Sequence, residues 1–242
     1  MEDKPLNPTF AQTSEMTKIN IAIDGLSGCG KSSTAKAVAK ALGYKFIDTG
    51  AMYRAVTLYM LDKQVDINNP DAVEEALANI RIDFRFDSET QKNETFLNEQ
   101  NVETAIRSMR VAGQVSQVAA IKAVRKAMVA QQQAMGKDKG VVMDGRDIGS
   151  VVFPDAELKV YMTATTEVRA RRRQMELAEK GEKADLAEIM ENLEKRDQID
   201  STRSESPLIK VKDAVEIDTS HLKFEEQVQK VLDLAKQRIE AE

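Results

Sequence analysis

The segment Gly25–Ser32 reads GLSGCGKS and satisfies G-x-x-x-x-G-K-[ST] at every fixed position. It follows an apolar run, INIAID (Ile19–Asp24), suited to a buried strand. It precedes an Ala-rich stretch with Ala35, Val38, Ala39 and Leu42 at helical spacing, ended by Gly43. Strand, glycine-rich loop and helix in that order predict a phosphate-binding loop. The glycines let the backbone curl until successive N–H groups face phosphate oxygens, and the helix N-terminus adds its positive end. Lys31 brings a point charge to the β- and γ-phosphates, and Ser32 offers a hydroxyl to Mg²⁺. The expected cradle is Gly25, Ser27, Gly28, Cys29, Gly30, Lys31, Ser32 and Ser33, with Cys29 a small filler rather than a reactive thiol.

The other apolar runs are YKFID (44–48), GVVMD (140–144), ELKVYMT (157–163) and AVEID (214–218), with helical patterns between them and a last helix over 224–239. Strands alternating with helices predict an α/β fold of the P-loop NTPase type, three layers around a five-stranded parallel sheet. One stretch breaks the rhythm. After the helical DAVEEALANI, IRIDFRFD alternates apolar and polar as a half-buried antiparallel strand does. Residues 68–106 are therefore read as a small α+β insert, 18–67 and 107–242 as the core with a lid near 165–200, and polar 1–17, with Pro5 and Pro8, as a disordered leader.

Composition narrows the function. The net charge of −5 argues against binding the backbone of a nucleic-acid polymer. One cysteine and one histidine, His221, exclude a disulfide framework and a cysteine-cluster zinc site, and suit a reducing compartment. No apolar run is long enough for a membrane span and the N-terminus lacks a secretory h-region, so a cytoplasmic, soluble chain, acting as a monomer, is expected.

A phosphate loop does not say what becomes of the triphosphate. The guanine motif N-K-x-D of switch GTPases is missing. Two arginine groups discriminate further. In VRARRR, Arg169, Arg172 and Arg173 share a helix face at i, i+3 and i+4, and four arginines within five residues repel one another unless anions bind. In KRDQIDSTR, Arg196, Asp200 and Arg203 stand at i, i+4 and i+7; that spacing fits phosphate binding or an internal ion-pair ladder equally. Convergent arginines are what phosphoryl transfer requires, because the chemistry is mainly placement and charge neutralisation.

These segments, with DTGAMYR (48–54), SQVAA (116–120), DGRDIG (144–149) and VVFPDA (151–156), together resemble bacterial cytidylate kinases from about Ile19 to Ile239. The resemblance implies transfer of the γ-phosphoryl of ATP, with Mg²⁺, to CMP or dCMP. It implies Thr49 beside the monophosphate, Arg54 as a phosphate clamp, Arg146 on the acceptor phosphate and Asp147 near the acceptor nucleotide. Arg196, Asp200 and Arg203 would serve phosphate, pentose and base; Ser116 and Arg125 would contact cytosine. VRARRR and 179–185 look like a lid over ATP, so Lys31, Arg146, Arg172 and Arg173 are the expected catalytic cations.

An arginine donating to N3 and O2 accepts cytosine but meets the N3–H of uracil, and an unpaired buried donor costs about 1–3 kcal/mol. Ser116 and Arg125 are nine residues apart, on opposite faces of a straight helix, so a break between them is required if both meet one base. Asp144 either supports Mg²⁺ through water or only bonds the loop. The rival readings are the same kinase fold with another acceptor, such as UMP or shikimate, and a protein that binds ATP without transfer. A nucleic-acid module is disfavoured by charge and by the lack of an aromatic platform.

Overall fold

The structure is a computed structural model that describes residues 17–87, 92–179 and 181–241. The leader expected over 1–17 lies, except for Thr17, outside the described residues.

Five strands form one parallel sheet: β1 (Asn20–Gly25), β2 (Lys45–Asp48), β6 (Val141–Gly145), β7 (Leu158–Thr163) and β8 (Val215–Asp218), in the order β2-β6-β1-β7-β8. The register pairs Asp24 with Gly145 and Asp48 with Asp144, so the carboxyl ends of three strands and their acidic residues meet at one edge. That is where an open α/β sheet places its ligands.

The sheet is buried on both faces, as its apolar strands require. On one side Ile19, Ile21, Ile23 and Leu158 pack with Ala35 and Val38 of α1 (Lys31–Leu42) and Val231 and Ala235 of α8 (Phe224–Ala241). On the other, Ala22, Val141 and Met143 pack with Met52 and Val56 of α2 (Thr49–Asp62). The same cluster takes in Val115 of α4 (Met109–Ala120) and Met128 of α5 (Lys122–Met135).

Between α2 and α4 lie α3 (Pro70–Ala78) and an antiparallel sheet of β3 (Ile82–Asp87), β4 (Lys92–Leu97) and β5 (Gln100–Asn101). The alternation seen in the sequence is realised, with Ile82 buried, Asp83 exposed, Phe84 half-buried and Arg85 exposed. Ile82, Leu97, Val102 and Ile106 join the α2 core cluster rather than forming a separate one. The helix broken between Ser116 and Arg125 is also present: Ile121 is extended (φ −69°, ψ 123°), ending α4 and starting α5 without proline or glycine.

Two further helices, α6 (Thr166–Glu179) and α7 (Leu186–Thr202), form a hairpin beside the phosphate loop. Its own core is small, with Ala170, Ile189 and Leu193 buried. Arg203 corrects one expectation. It follows the last turn of α7 with extended backbone (φ −61°, ψ 144°), so it does not continue the helix face of Arg196 and Asp200.

Candidate active site

The loop after β1 curls at three glycines with positive φ, Gly25, Gly28 and Gly30. Gly25 has φ +146°, and a Cβ there would sit 2.0 Å from the carbonyl oxygen of Met162. Gly30, at the start of α1, is left-handed (φ +93°). Lys31 is buried and its ammonium donates to the Leu26 carbonyl at 2.6 Å, folding the side chain back along the loop. Burial lowers its pKa, and nearby Arg146 lowers it further.

Ser32, in the first turn of α1, donates its hydroxyl to Asp144 Oδ2 at 2.7 Å. The other oxygen of that buried carboxylate, Oδ1, has no hydrogen-bond partner. Burial, reinforced by the charge of Asp48, raises the Asp144 pKa to about 7, against the pull of Lys31, Ser32 and Arg146. A half-satisfied carboxylate beside the loop serine fits a magnesium ion brought in by a triphosphate. Among the described residues no group of three or more His, Cys, Asp or Glu side chains could cage a metal. Magnesium needs none where phosphates supply its other ligands.

Arginines from separate elements crowd near Arg146, whose charge reaches Lys31 of the loop. Arg54 of α2 and Arg196 of α7 are half-buried and have no hydrogen-bond or ion-pair partner among the described residues. Burial and repulsion from Arg146, Arg54 and Arg173 push the Arg196 pKa down to about 10, even with Asp200 opposing. Arg54 is lowered the same way, by burial and then by Arg107, Arg173 and Arg146 against the pull of Asp48. Arg146, just past β6, donates Nε to Asp200 Oδ2 at 2.7 Å. Burial works to raise the Asp200 pKa, but Arg146, Arg203 and Arg196 hold it below the ordinary carboxylate value. Uncompensated guanidinium groups held this close make an anion site, since an unpaired buried charge is otherwise costly.

Next to this cluster lies a group of buried polar side chains. Arg125, only 3 % exposed, is ion-paired to Asp147, donates Nη1 to the Ala119 carbonyl at 3.3 Å and lies 5.3 Å over the Tyr53 ring. Its Nε and the Tyr53 hydroxyl are buried without partners. Arg203 completes the set, 3.9 Å from Asp147 and 3.6 Å from Asp200. Ser116 is half-buried on α4 with its hydroxyl bonded to no described residue. Thr49 is buried and donates its hydroxyl to the Asp144 carbonyl at 2.7 Å, so its donor is committed to joining α2 to β6.

The arginines of α6 divide in a way their spacing does not show. Arg173 reaches towards the cluster and pairs with Glu176 at 3.0 Å. Arg169 does not line the open cleft as its helix face suggests. It is buried and donates to Ala164 O, Ser27 O, Asp197 and Thr166. Arg172 donates to the carbonyls of Cys29 (3.3 Å) and Thr219 (2.8 Å). Two residues escaped the sequence reading: Tyr53, one position before Arg54, and Asp197, one after Arg196. They lie within DTGAMYR and KRDQIDSTR, but nothing in their spacing marks them apart from neighbours.

The family model described as "Cytidylate kinase" matches residues 21–237. The chain is 54% identical over 220 residues to a cytidylate kinase of Cytophaga hutchinsonii, covering 91% of this chain and 94% of the relative. It is 55% identical over 215 residues to one from Phocaeicola vulgatus (88% and 94% covered) and 51% identical over 222 to one from Flavobacterium psychrophilum (90% and 98%).

Proposed function

The chain belongs to the cytidylate kinase family, and from that premise we propose how its own residues perform the reaction. The enzyme transfers the γ-phosphoryl group of ATP to CMP or dCMP, giving CDP or dCDP and ADP. The observation that carries the assignment of residues is the pair of unpartnered arginines, Arg54 and Arg196, held near Arg146.

The donor phosphates lie in the cradle from Gly25 to Ser33, with Lys31 released from Leu26 onto the β- and γ-phosphates. Ser32 and Asp144 would hold a magnesium ion, which would offset the charge of the triphosphate. The acceptor phosphate replaces mutual repulsion with charge-assisted bonds from Arg54, Arg146 and Arg196. Lys31, Arg146 and Arg173 then surround the migrating group, while Arg172 acts chiefly on the loop backbone. No base is required, because the acceptor phosphate is already largely ionised at neutral pH.

The cytosine enters the pocket of Ser116, Arg125 and Asp147. The free N–H groups of Arg125, Nε included, donate to its N3 and O2, and Asp147 keeps the guanidinium in that orientation. Thr49 bounds the monophosphate site, and Asp200 and Arg203 meet the pentose. The enzyme works as a monomer in the cytoplasm, since one chain supplies both nucleotide sites and its buried Cys29 calls for no disulfide.

A steady-state comparison of CMP, dCMP, UMP and AMP as acceptors tests this reading. CMP and dCMP should lead UMP by about ten- to hundredfold in kcat/KM, the value of one unpaired donor. Preference for UMP or AMP would overturn the cytosine assignment.

A further inference from the structure

The arginine and aspartate that the acceptor and donor sites leave unused meet at one residue of the phosphate loop. Arg169 Nη1 donates to the Ser27 carbonyl at 3.1 Å and to Asp197 Oδ2 at 2.6 Å. The other carboxylate oxygen of Asp197 accepts the Ser27 N–H at 3.5 Å. Two more of its five N–H donors go to Ala164 O (3.0 Å) and Thr166 Oγ1 (3.1 Å), so four bonds fix the buried guanidinium in place. The pair is shielded, with the Arg169 side chain 4 % and Asp197 16 % exposed.

A trans peptide is planar, with its C=O and N–H pointing opposite ways. Holding the Ser27 carbonyl outward therefore turns the Gly28 N–H inward. Arg172 does the same two residues on, since its bond to the Cys29 carbonyl at 3.3 Å sets the Gly30 N–H. The inward N–H groups are what a phosphate-binding loop offers its ligand. Lysine could not replace Arg169, because one ammonium cannot span Ser27, Asp197, Ala164 and Thr166 as a planar fork does.

Asp197 adds a second consequence. It stands on α7 directly after Arg196 and three residues before Asp200, both of which face the acceptor. One helix thus carries the acceptor's arginine on one side and the brace of the donor loop on the other.

Resting on the kinase reading above, we infer that Arg169 and Asp197 are positioning residues that hold the phosphate loop in its ATP-binding shape and join it to the acceptor side of the site.

The experiment is titration calorimetry of Arg169→Lys and Asp197→Asn with a non-hydrolysable ATP analogue and, separately, with CMP, alongside thermal melting. Arg169→Lys should weaken the analogue by about tenfold or more, the effect of one lost hydrogen bond to a charged group. CMP binding alone should stay within about twofold, and the KM for ATP should rise far more than that for CMP. In the double variant the losses should fall short of additive, because both residues act on Ser27. Unchanged analogue affinity in both single variants overturns the inference. So does an equal loss of analogue and CMP together with a large drop in melting temperature, which marks a scaffold role alone. Asp197→Glu, which keeps the charge, guards against an unstable Asp197→Asn and should recover part of the analogue affinity. Wild-type enzyme assayed for CDP formation separates the two readings: CDP formed with neutral variants sinks only this inference, whereas absence of CDP sinks the kinase reading.

Discussion

Arg196 and Asp24 are both disfavoured as charges by burial, with different consequences. Arg196 has burial and three other arginines against it, and its pKa of about 10 records the disadvantage. Arg196→Met should raise the unfolding free energy of the nucleotide-free enzyme by about 0.5–2 kcal/mol, as relief of functional strain does. It should also lower kcat/KM for CMP by about a hundredfold or more, the effect of losing a donor at the reacting charge, while ATP binding persists. Unchanged CMP kinetics would remove Arg196 from the acceptor site. Asp24 behaves differently. It accepts the backbone N–H groups of Ile148 and Gly149, each at 2.7 Å, yet burial raises its pKa to about 6 from 3.8. A carboxyl whose pKa is raised in the fold contributes stability fully below its unfolded value and loses it as pH climbs through the folded one. For Asp24 that loss runs from about pH 4 to pH 6. Asp24→Asn removes this slope and strands one N–H, costing about 1–3 kcal/mol. Denaturant unfolding should therefore show a larger gap between wild type and Asp24→Asn at pH 5 than at pH 7; a pH-independent gap would refute the assignment.

At the scale of elements, periodicity was a good guide where burial is one-sided or complete. The five core strands lie within a residue of their sequence positions because each is a short apolar run between polar turns. The antiparallel character of β3 was readable from one line of alternation. The break between α4 and α5 was legible only as a geometric need: no residue type announces Ile121, whose extended backbone is imposed by the packing of both helices on the α2 core. The hairpin of α6 and α7 is held by few apolar contacts, Ala170, Ile189 and Leu193 being its buried members. Leu193→Ala should cost the hairpin about 2–5 kcal/mol of local stability. Amide exchange should accelerate across 166–202 while β1 and β6 keep their protection; uniform acceleration would mean the hairpin opens only with the whole molecule.

At the scale of the whole molecule, the sequence by itself determined the phosphate loop, the parallel sheet that carries it and the presence of arginines suited to two nucleotides. These are local facts: a strand, a turn and a helix are set by spacings of a few residues, and the chemistry of a side chain travels with its name. The division of labour among the arginines was a tertiary decision. Arg169, Arg172 and Arg173 are near-identical in sequence context, but the first two are bound to carbonyls of Ser27, Cys29 and Thr219, brought there from far along the chain. Arg125 and Asp147 likewise meet across 22 residues, and Arg146 and Asp200 across 54. Whether an arginine is spent on the protein or kept for a substrate depends on which acceptors the fold places within hydrogen-bond reach. Only the packed chain sets that distance.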